Sequence, residues 1–312
     1  MKIIFMGTPQ FAVPILEKIA SEHEIVLVVT QPDQYNYKKK TVLFNPVKEW
    51  AVNHNIEVFQ PERIKLEKEY ILNIPCDLIV TAAYGQIVPV EILNHPRLKC
   101  INVHGSLLPK YRGGAPIQRS IINGDSKTGI TIMYMDVKMD AGDMLVQKEL
   151  IIEDSDNQDT VFNKLSLLGS EMILDAIDKL DKGLLTPVKQ NEAEVTYAYN
   201  LNKEDELIDF SKDARCVFNQ IRGLNSNPGA YFVLDNMNIK VYDSKVSLEK
   251  TNLDSGKIVS INKKSFDISC KDGSVITILQ LQIPGKNKMS AGDFINGQGR
   301  KLLEVGKAVN NG

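Results

Sequence analysis

What this sequence lacks narrows its roles before any motif is read. No stretch approaches the roughly 18 apolar residues that a membrane-spanning helix needs, so no membrane association is expected. The opening MKIIFMGTPQFAVPIL holds one lysine and a short apolar run. Its Gly7-Thr8-Pro9 break suits a strand and turn better than a secretory signal. The four cysteines, Cys76, Cys100, Cys216 and Cys270, form no CxxC pair, so neither a zinc site nor a disulfide framework is indicated, and no metal is expected. A reducing cytoplasm is the simplest home for such a chain. Internal repeats and low-complexity tracts are missing. FMGTPQF lacks the GxGxxG spacing that lets a backbone approach a pyrophosphate, which argues against a dinucleotide-dependent oxidoreductase. Strong charge of one sign is missing too. A net charge of −2 does not mark a general nucleic-acid binder.

What is present is ordinary globular material: 312 residues, 43% apolar and 24% charged, enough for two domains with separate cores. The charge is unevenly spread. Residues 1–204 carry 22 Lys/Arg against 27 Asp/Glu, and residues 205–312 carry 15 against 12. A tail that meets phosphates and a random scatter of surface charge both produce such a bias.

Residues 2–6 form a short apolar run read as a buried strand, and Pro9 suits the first turn of a helix bearing Phe11, Val13, Leu16 and Ile19. Segments 24–30, 77–83 and 99–104 read as further strands, with helical stretches such as 46–55 between them. Strands alternating with helices, apolar throughout, predict an α/β fold with a Rossmann-like, mostly parallel sheet covered on both faces. Runs 130–136 and 144–152 lie too close together for a crossover and read as an antiparallel pair. A 3.6-residue period through Val161, Leu165, Leu168, Ile173 and Ile177 predicts a long amphipathic helix over 159–180. The tail differs. After one helix near 212–223, short strands are expected at 230–234, 239–241, 256–260, 265–269 and 274–281, a pattern that predicts a small OB-like β-barrel. The expected organisation is a catalytic domain over 1–190, a linker over 191–205 and a C-terminal domain over 206–312.

The sharpest chemical cluster is Asn102-Val103-His104. Strand residues two apart share a face, so Cys100, Asn102 and His104 project together. At the carboxyl end of a parallel strand they stand where open α/β sheets bind ligands. An asparagine amide offers hydrogens to a developing oxyanion, and a histidine donates a hydrogen bond or carries a proton. Read alone, the pair equally suits polar strand-end residues that cap nearby backbone. The loop that follows, GSLLPKYRGGAPIQ, pairs glycines that permit close backbone approach with apolar Leu107, Leu108 and Pro109, which could wall a flat ring or simply pack onto the sheet. In MDAGD, Asp140 is placed to orient His104 and favour its charged form, whereas Asp143 reads as a turn former.

Together the segments IIFMGTPQFAVPIL, VVTQPD, AAYGQIVP, INVHGSLLPKYRGGAPIQ, GITIMYMDVKMDAGDML, IRGLNSNPGAY and LQIPGKNKMSAGDF resemble the folate-dependent formyltransferases along essentially the whole chain. The resemblance implies Asn102, His104 and Asp140 as the catalytic group. It implies Ser106, Leu107, Leu108 and Pro109 as the loop contacting folate, with Gln86, Ile87 and Val88 lining the same pocket through their backbone. The implied donor is 10-formyltetrahydrofolate. In the implied reaction an amine attacks the formyl carbon, Asn102 and His104 stabilise the oxyanion, and Asp140 orients His104 and takes the amine's proton through water.

The implied acceptor is methionine esterified to initiator tRNA, with an amino-sugar nucleotide as the alternative and a folate hydrolase as a further relative. Lys38, Lys39 and Lys40, in a loop with two tyrosines, offer phosphate contacts to tRNA. The family carries an arginine and glycines in this loop. Here Lys38 stands where arginine is expected, which keeps charge but loses bidentate geometry. The basic tail with Lys286 and Lys288 resembles the family's tRNA-contacting C-terminal domain, although Asn225-Ser226-Asn227-Pro228 departs from the usual Asn-Pro-x-Pro turn. A monomer is expected.

Overall fold

In a computed structural model that describes residues 1–36 and 40–310, the chain forms two compact units. The first takes residues 1–116, 127–151 and 162–199, and the second takes 117–126, 152–161 and the chain from 200 onward.

The first unit is built on β1 (Lys2–Gly7), β2 (Glu24–Val29), a ribbon of β3 (Gln34–Asn36) and β4 (Thr41–Leu43), then β5 (Val58–Phe59), β6 (Leu78–Ala82), β7 (Cys100–His104), β8 (Lys127–Tyr134) and β9 (Met144–Ile151). Seven of these make one sheet in the order β5-β2-β1-β6-β7-β8-β9. The pairs from β5 to β7 are parallel, and β7–β8 and β8–β9 are antiparallel. The central strands are apolar on both faces, with Ile3, Ile4, Phe5, Met6, Ile79 and Val80 fully buried, as a sheet covered on both sides requires.

Helix α1 (Val13–Ala20) carries Pro14 in its first turn and buries Ile15, Leu16 and Ile19 on one face. In α2 (Pro46–Asn53) the Asn45 side chain caps the helix by accepting the Lys48 N–H at 3.0 Å. Short helices α3 (Glu69–Leu72) and α4 (Val90–Leu93) follow, then α5 (Pro116–Ile122), and the predicted amphipathic helix is α6 (Gln158–Asp181). The ribbon β3–β4 was not legible as strands, because Gln34, Tyr35, Thr41, Val42 and Leu43 are exposed and form no periodic apolar face. Lys40 is exposed in the turn before β4, whereas Lys38 and Lys39 lie outside the described residues.

In the second unit, α7 (Lys203–Glu206) closes a capping box with Asn202, and α8 (Ala214–Gly223) is capped by Asp213. Strands β10 (Tyr231–Leu234), β11 (Met237–Val246), β12 (Ile258–Ile261), β13 (Phe266–Ser269), β14 (Val275–Gln282) and β15 (Met289–Ser290) form a curled antiparallel half-barrel sheet. Phe210, Phe232, Phe266 and Phe294 run through its core with ring centroids 6.3 Å apart at each step. Strand β11 is much longer than the sequence pattern predicts. Its register slips twice around Asp243, and such bulges break the alternation on which a strand is recognised. The polar stretch around 191–205 holds a 3₁₀ turn (Glu192–Glu194) as well as α7.

Candidate active site

Asn102 and His104 stand two residues apart at the carboxyl end of β7, and the turn between β8 and β9 brings Asp140 to His104. Asn102 lies in register with Thr81 of the neighbouring parallel strand. The buried Thr81 hydroxyl donates to Asn102 Oδ1 at 2.9 Å. That bond fixes the amide plane and turns the NH₂ group away from Thr81. Among the described residues this NH₂ meets no protein acceptor.

His104 is buried, and its Nε2 lies 3.0 Å from the carbonyl oxygen of Tyr111. A carbonyl only accepts, so Nε2 carries a proton and Nδ1 is the nitrogen left for chemistry. Nδ1 lies 3.7 Å from Asp140 Oδ2. This is a charge contact rather than a hydrogen bond.

Asp140 is held tightly. Its Oδ2 accepts the Gly113 N–H at 2.8 Å, and its backbone sits at φ 51°, in the left-handed region. The buried Gln190 donates from Nε2 to the carbonyls of Asp140 and Gly142, both at 2.8 Å, and accepts from Arg112 Nε at 3.0 Å. Arg112 is itself buried and pairs with Glu192 at 2.9 Å, which holds the Glu192 carboxyl below its ordinary range. A side chain at Gly142 would stand 1.9 Å from the Tyr134 carbonyl, so only glycine fits. Asp143 serves the turn, its carbonyl accepting the Tyr134 N–H. Gly113 is required for a different reason than ligand approach: a Cβ there would lie 2.7 Å from the Ala198 carbonyl.

Thr81, Arg112 and Gln190 were not singled out by sequence. Thr81 left a faint signal, a polar residue in an apolar strand. Gln190 left none, because its partners are about fifty residues away.

The expected folate-contacting segments lie on two loops. Ser106 is fully buried and its hydroxyl donates to Lys110 O at 2.7 Å, so its role is to shape the loop. The Thr131 hydroxyl donates to Ser106 O and accepts from Leu108 N, and Gln147 donates to Leu108 O, which pins the loop to β8 and β9. Leu108 is buried and joined to Pro109 by a cis peptide, while Leu107 is half-buried. On the other loop, the Gln86 side chain is engaged with Ile64 N and Pro61 O. Val88 is in the core, and Ile87 is 75% exposed. Among the described residues, the main-chain N–H groups of Gly85, Ile87 and Val88 meet no acceptor. An exposed apolar side chain beside open main-chain donors fits a flat heteroaromatic ring with polar edges.

Cys100 shares the strand with Asn102 but packs into the core, where burial pushes its thiol far above the ordinary range. Among the described residues, no group of three His, Cys, Asp or Glu side chains could hold a metal ion, and no helix is long and apolar enough to cross a membrane.

Residues 1–177 match the formyl transferase family, and residues 200–299 match the C-terminal domain of formyl transferases. The chain is 46% identical to the methionyl-tRNA formyltransferase of Lactiplantibacillus plantarum over 313 residues, covering 99% of each. It is 44% identical to that of Bacillus subtilis over 299 residues, covering 95% of this chain and 94% of the relative. Among solved structures, a sugar 3N-formyl transferase shares the fold with a TM-score of 0.70 at 21% identity, covering 92% of this chain and 99% of the other. HypX of Aquifex aeolicus with tetrahydrofolic acid superposes at 0.62 and 17% identity, over 95% of this chain and 48% of its own.

The Gln190 network yields a stability prediction. Gln190→Met keeps the volume but leaves the buried Gly142 carbonyl, the half-buried Asp140 carbonyl and the Arg112 Nε without their partner. The loss should be about 1–3 kcal/mol, the cost of orphaned buried groups. Trp50 is the single tryptophan and lies in the same unit, so its fluorescence in a urea titration reads the change. An unshifted midpoint would mean that the network contributes nothing.

Proposed function

The chain belongs to the formyl transferase family, and on that premise we propose that it transfers the formyl group of 10-formyltetrahydrofolate to the amino group of methionine on initiator tRNA, using Asn102, His104 and Asp140. The observation that carries this reading is the meeting of an oriented amide, a histidine with Nδ1 open and a fixed carboxylate, in a chain so close to the methionyl-tRNA formyltransferases.

The amine attacks the formyl carbon, giving a tetrahedral centre with an anionic oxygen and a positively charged nitrogen. The Asn102 NH₂ donates to that oxygen, and its orientation by Thr81 is set before the reaction begins. His104 Nδ1, rather than Asp140 through water as the resemblance implied, takes the proton lost by the amine, since Asp140 Oδ2 is already engaged by the Gly113 N–H. Its other nitrogen stays bonded to the Tyr111 carbonyl, and Asp140 stabilises the imidazolium that forms. The imidazolium then returns the proton to N10 of the folate as the carbon–N10 bond breaks. One carbon–nitrogen bond forms, one breaks, and the proton moves between the two nitrogens. The donor lies against the Ser106–Pro109 loop, with its ring edge on the open N–H groups at Gly85, Ile87 and Val88.

Lys38, Lys39 and Lys40 grip the acceptor's phosphates as point charges. All the groups invoked belong to one chain, which acts as a monomer. Its place is the cytoplasm, where four unpaired cysteines persist. The sugar-acting relatives share the fold at 21–22% identity, far below the 44–46% of the relatives named for methionyl-tRNA.

Purified protein with 10-formyltetrahydrofolate should formylate methionyl initiator tRNA in strong preference to methionyl elongator tRNA and to amino-sugar nucleotides. Transfer to sugars alone would overturn the acceptor. His104→Ala should lower kcat by about 100-fold or more while donor affinity stays near wild type; full turnover in the folded variant would remove His104 from the mechanism. Replacing Lys38, Lys39 and Lys40 by alanine should raise KM for tRNA and flatten its dependence on salt by about one unit of slope per lysine. Unchanged tRNA kinetics would discard the lysine contacts.

A further inference from the structure

Tyr197 and Tyr199 have no part in the chemistry above, yet their placement is specific. They belong to an extended stretch fastened to the loop after β7 by main-chain and hydroxyl bonds. Arg112 N donates to Thr196 O at 2.9 Å, Ala198 N donates to Arg112 O at 2.7 Å, and Ala115 N donates to Ala198 O at 3.1 Å. Tyr111 N donates to the Thr196 hydroxyl at 2.9 Å. Thr196 and the fully buried Ala198 therefore face the loop. By the two-residue period of an extended chain, Tyr197 and Tyr199 project the other way. Their rings stack, with centroids 5.8 Å apart and planes 13° from parallel, and remain 56% and 73% exposed.

The loop they are fastened to is the one that bonds His104 through Tyr111 and Asp140 through Gly113. Tyr197 pairs with Arg112 as a bridge partner, so the backbone that carries the two rings runs about one strand spacing, ~4.8 Å, from the loop that holds the reacting groups. The stretch from Gln190 to Asn202 carries no lysine or arginine. It therefore offers phosphates no attraction and offers flat, uncharged rings two parallel faces.

We propose that Tyr197 and Tyr199 form a stacking platform for the unpaired terminal base of the aminoacylated tRNA, holding the esterified amino acid at His104. The proposal rests on the tRNA acceptor named above and adds the surface that receives its end. The amino acid is attached to the terminal nucleotide, so a base fixed beside the loop limits where the amine travels. Stacking on an aromatic ring is tolerant of base identity and independent of charge.

The test uses the full chain with both tyrosines changed to alanine, and a second variant with both changed to phenylalanine. Tyr197→Ala with Tyr199→Ala should raise KM for methionyl-tRNA by about 10- to 100-fold, the usual worth of a stacked base. The KM for 10-formyltetrahydrofolate should stay within about twofold. The salt dependence of the tRNA KM should not change, because no phosphate contact is removed. The phenylalanine variant should restore the wild-type KM. An unchanged tRNA KM in the folded alanine variant, or a change in the folate KM instead, would overturn the platform.

Binding read without turnover separates this claim from the acceptor itself. A tRNA whose terminal adenine is replaced by 2-aminopurine should lose fluorescence on binding to the wild type and the phenylalanine variant, but not to the alanine variant. That pattern in a chain that fails to formylate the tRNA would keep the platform and reject the acceptor. Formylation with equal quenching in all three proteins, or with none, would reject the platform alone.

Discussion

Gln190 spends both amide hydrogens on the carbonyls of Asp140 and Gly142, and its oxygen receives the Arg112 side chain. The turn it braces contains a residue at positive φ and a glycine with no room for a methyl group. The left-handed conformation of Asp140 is not favourable alone, so the surrounding bonds must over-determine it. From this brace the Asp140 carboxylate reaches the Gly113 N–H on one side and His104 on the other. The loop after β7 is thereby locked to the turn between β8 and β9, and the three side chains proposed for catalysis keep their spacing without a ligand.

The two sides of the site differ in character. Toward the proposed donor, backbone groups are open and Ile87 is exposed, while the supporting loop is pinned by Thr131 and Gln147. Toward the proposed acceptor, the exposed groups are aromatic rings on a fastened stretch. Preorganisation of this kind places most of the cost of ordering in folding rather than in binding. It also accounts for Arg112, a buried cation whose bonds to Gln190 and Glu192 satisfy it while serving no reactant directly.

Much of this was legible from sequence, for reasons that can be named. Asn102 and His104 stood out because a strand's period of two puts them on one face, and the parallel-strand context told which end they occupy. The long helix α6 was read from its 3.6-residue period, and the antiparallel pair β8–β9 from the short interval between two apolar runs. The bulged middle of β11 was missed because Asp243 and Lys245 interrupt the apolar pattern that a strand is recognised by. The ribbon β3–β4 buries no apolar face and left no pattern to find. Gln190 sat at the very end of the expected catalytic domain, beside the expected linker, and went unnoticed because a buried glutamine bonded to carbonyls far back in the chain has no local signature. Val88 was expected to line the folate pocket through its backbone, and its side chain belongs to the core.

The central claim is that Asn102, His104 and Asp140 surround the carbon that is transferred. A crystal structure of this chain with 5-formyltetrahydrofolate, a donor analogue that does not react, tests it most directly. The account predicts the formyl oxygen about 3 Å from the Asn102 amide nitrogen, with His104 Nδ1 facing the same group. A formyl group lying more than about 6 Å from both, beyond the reach of any hydrogen bond, would contradict it.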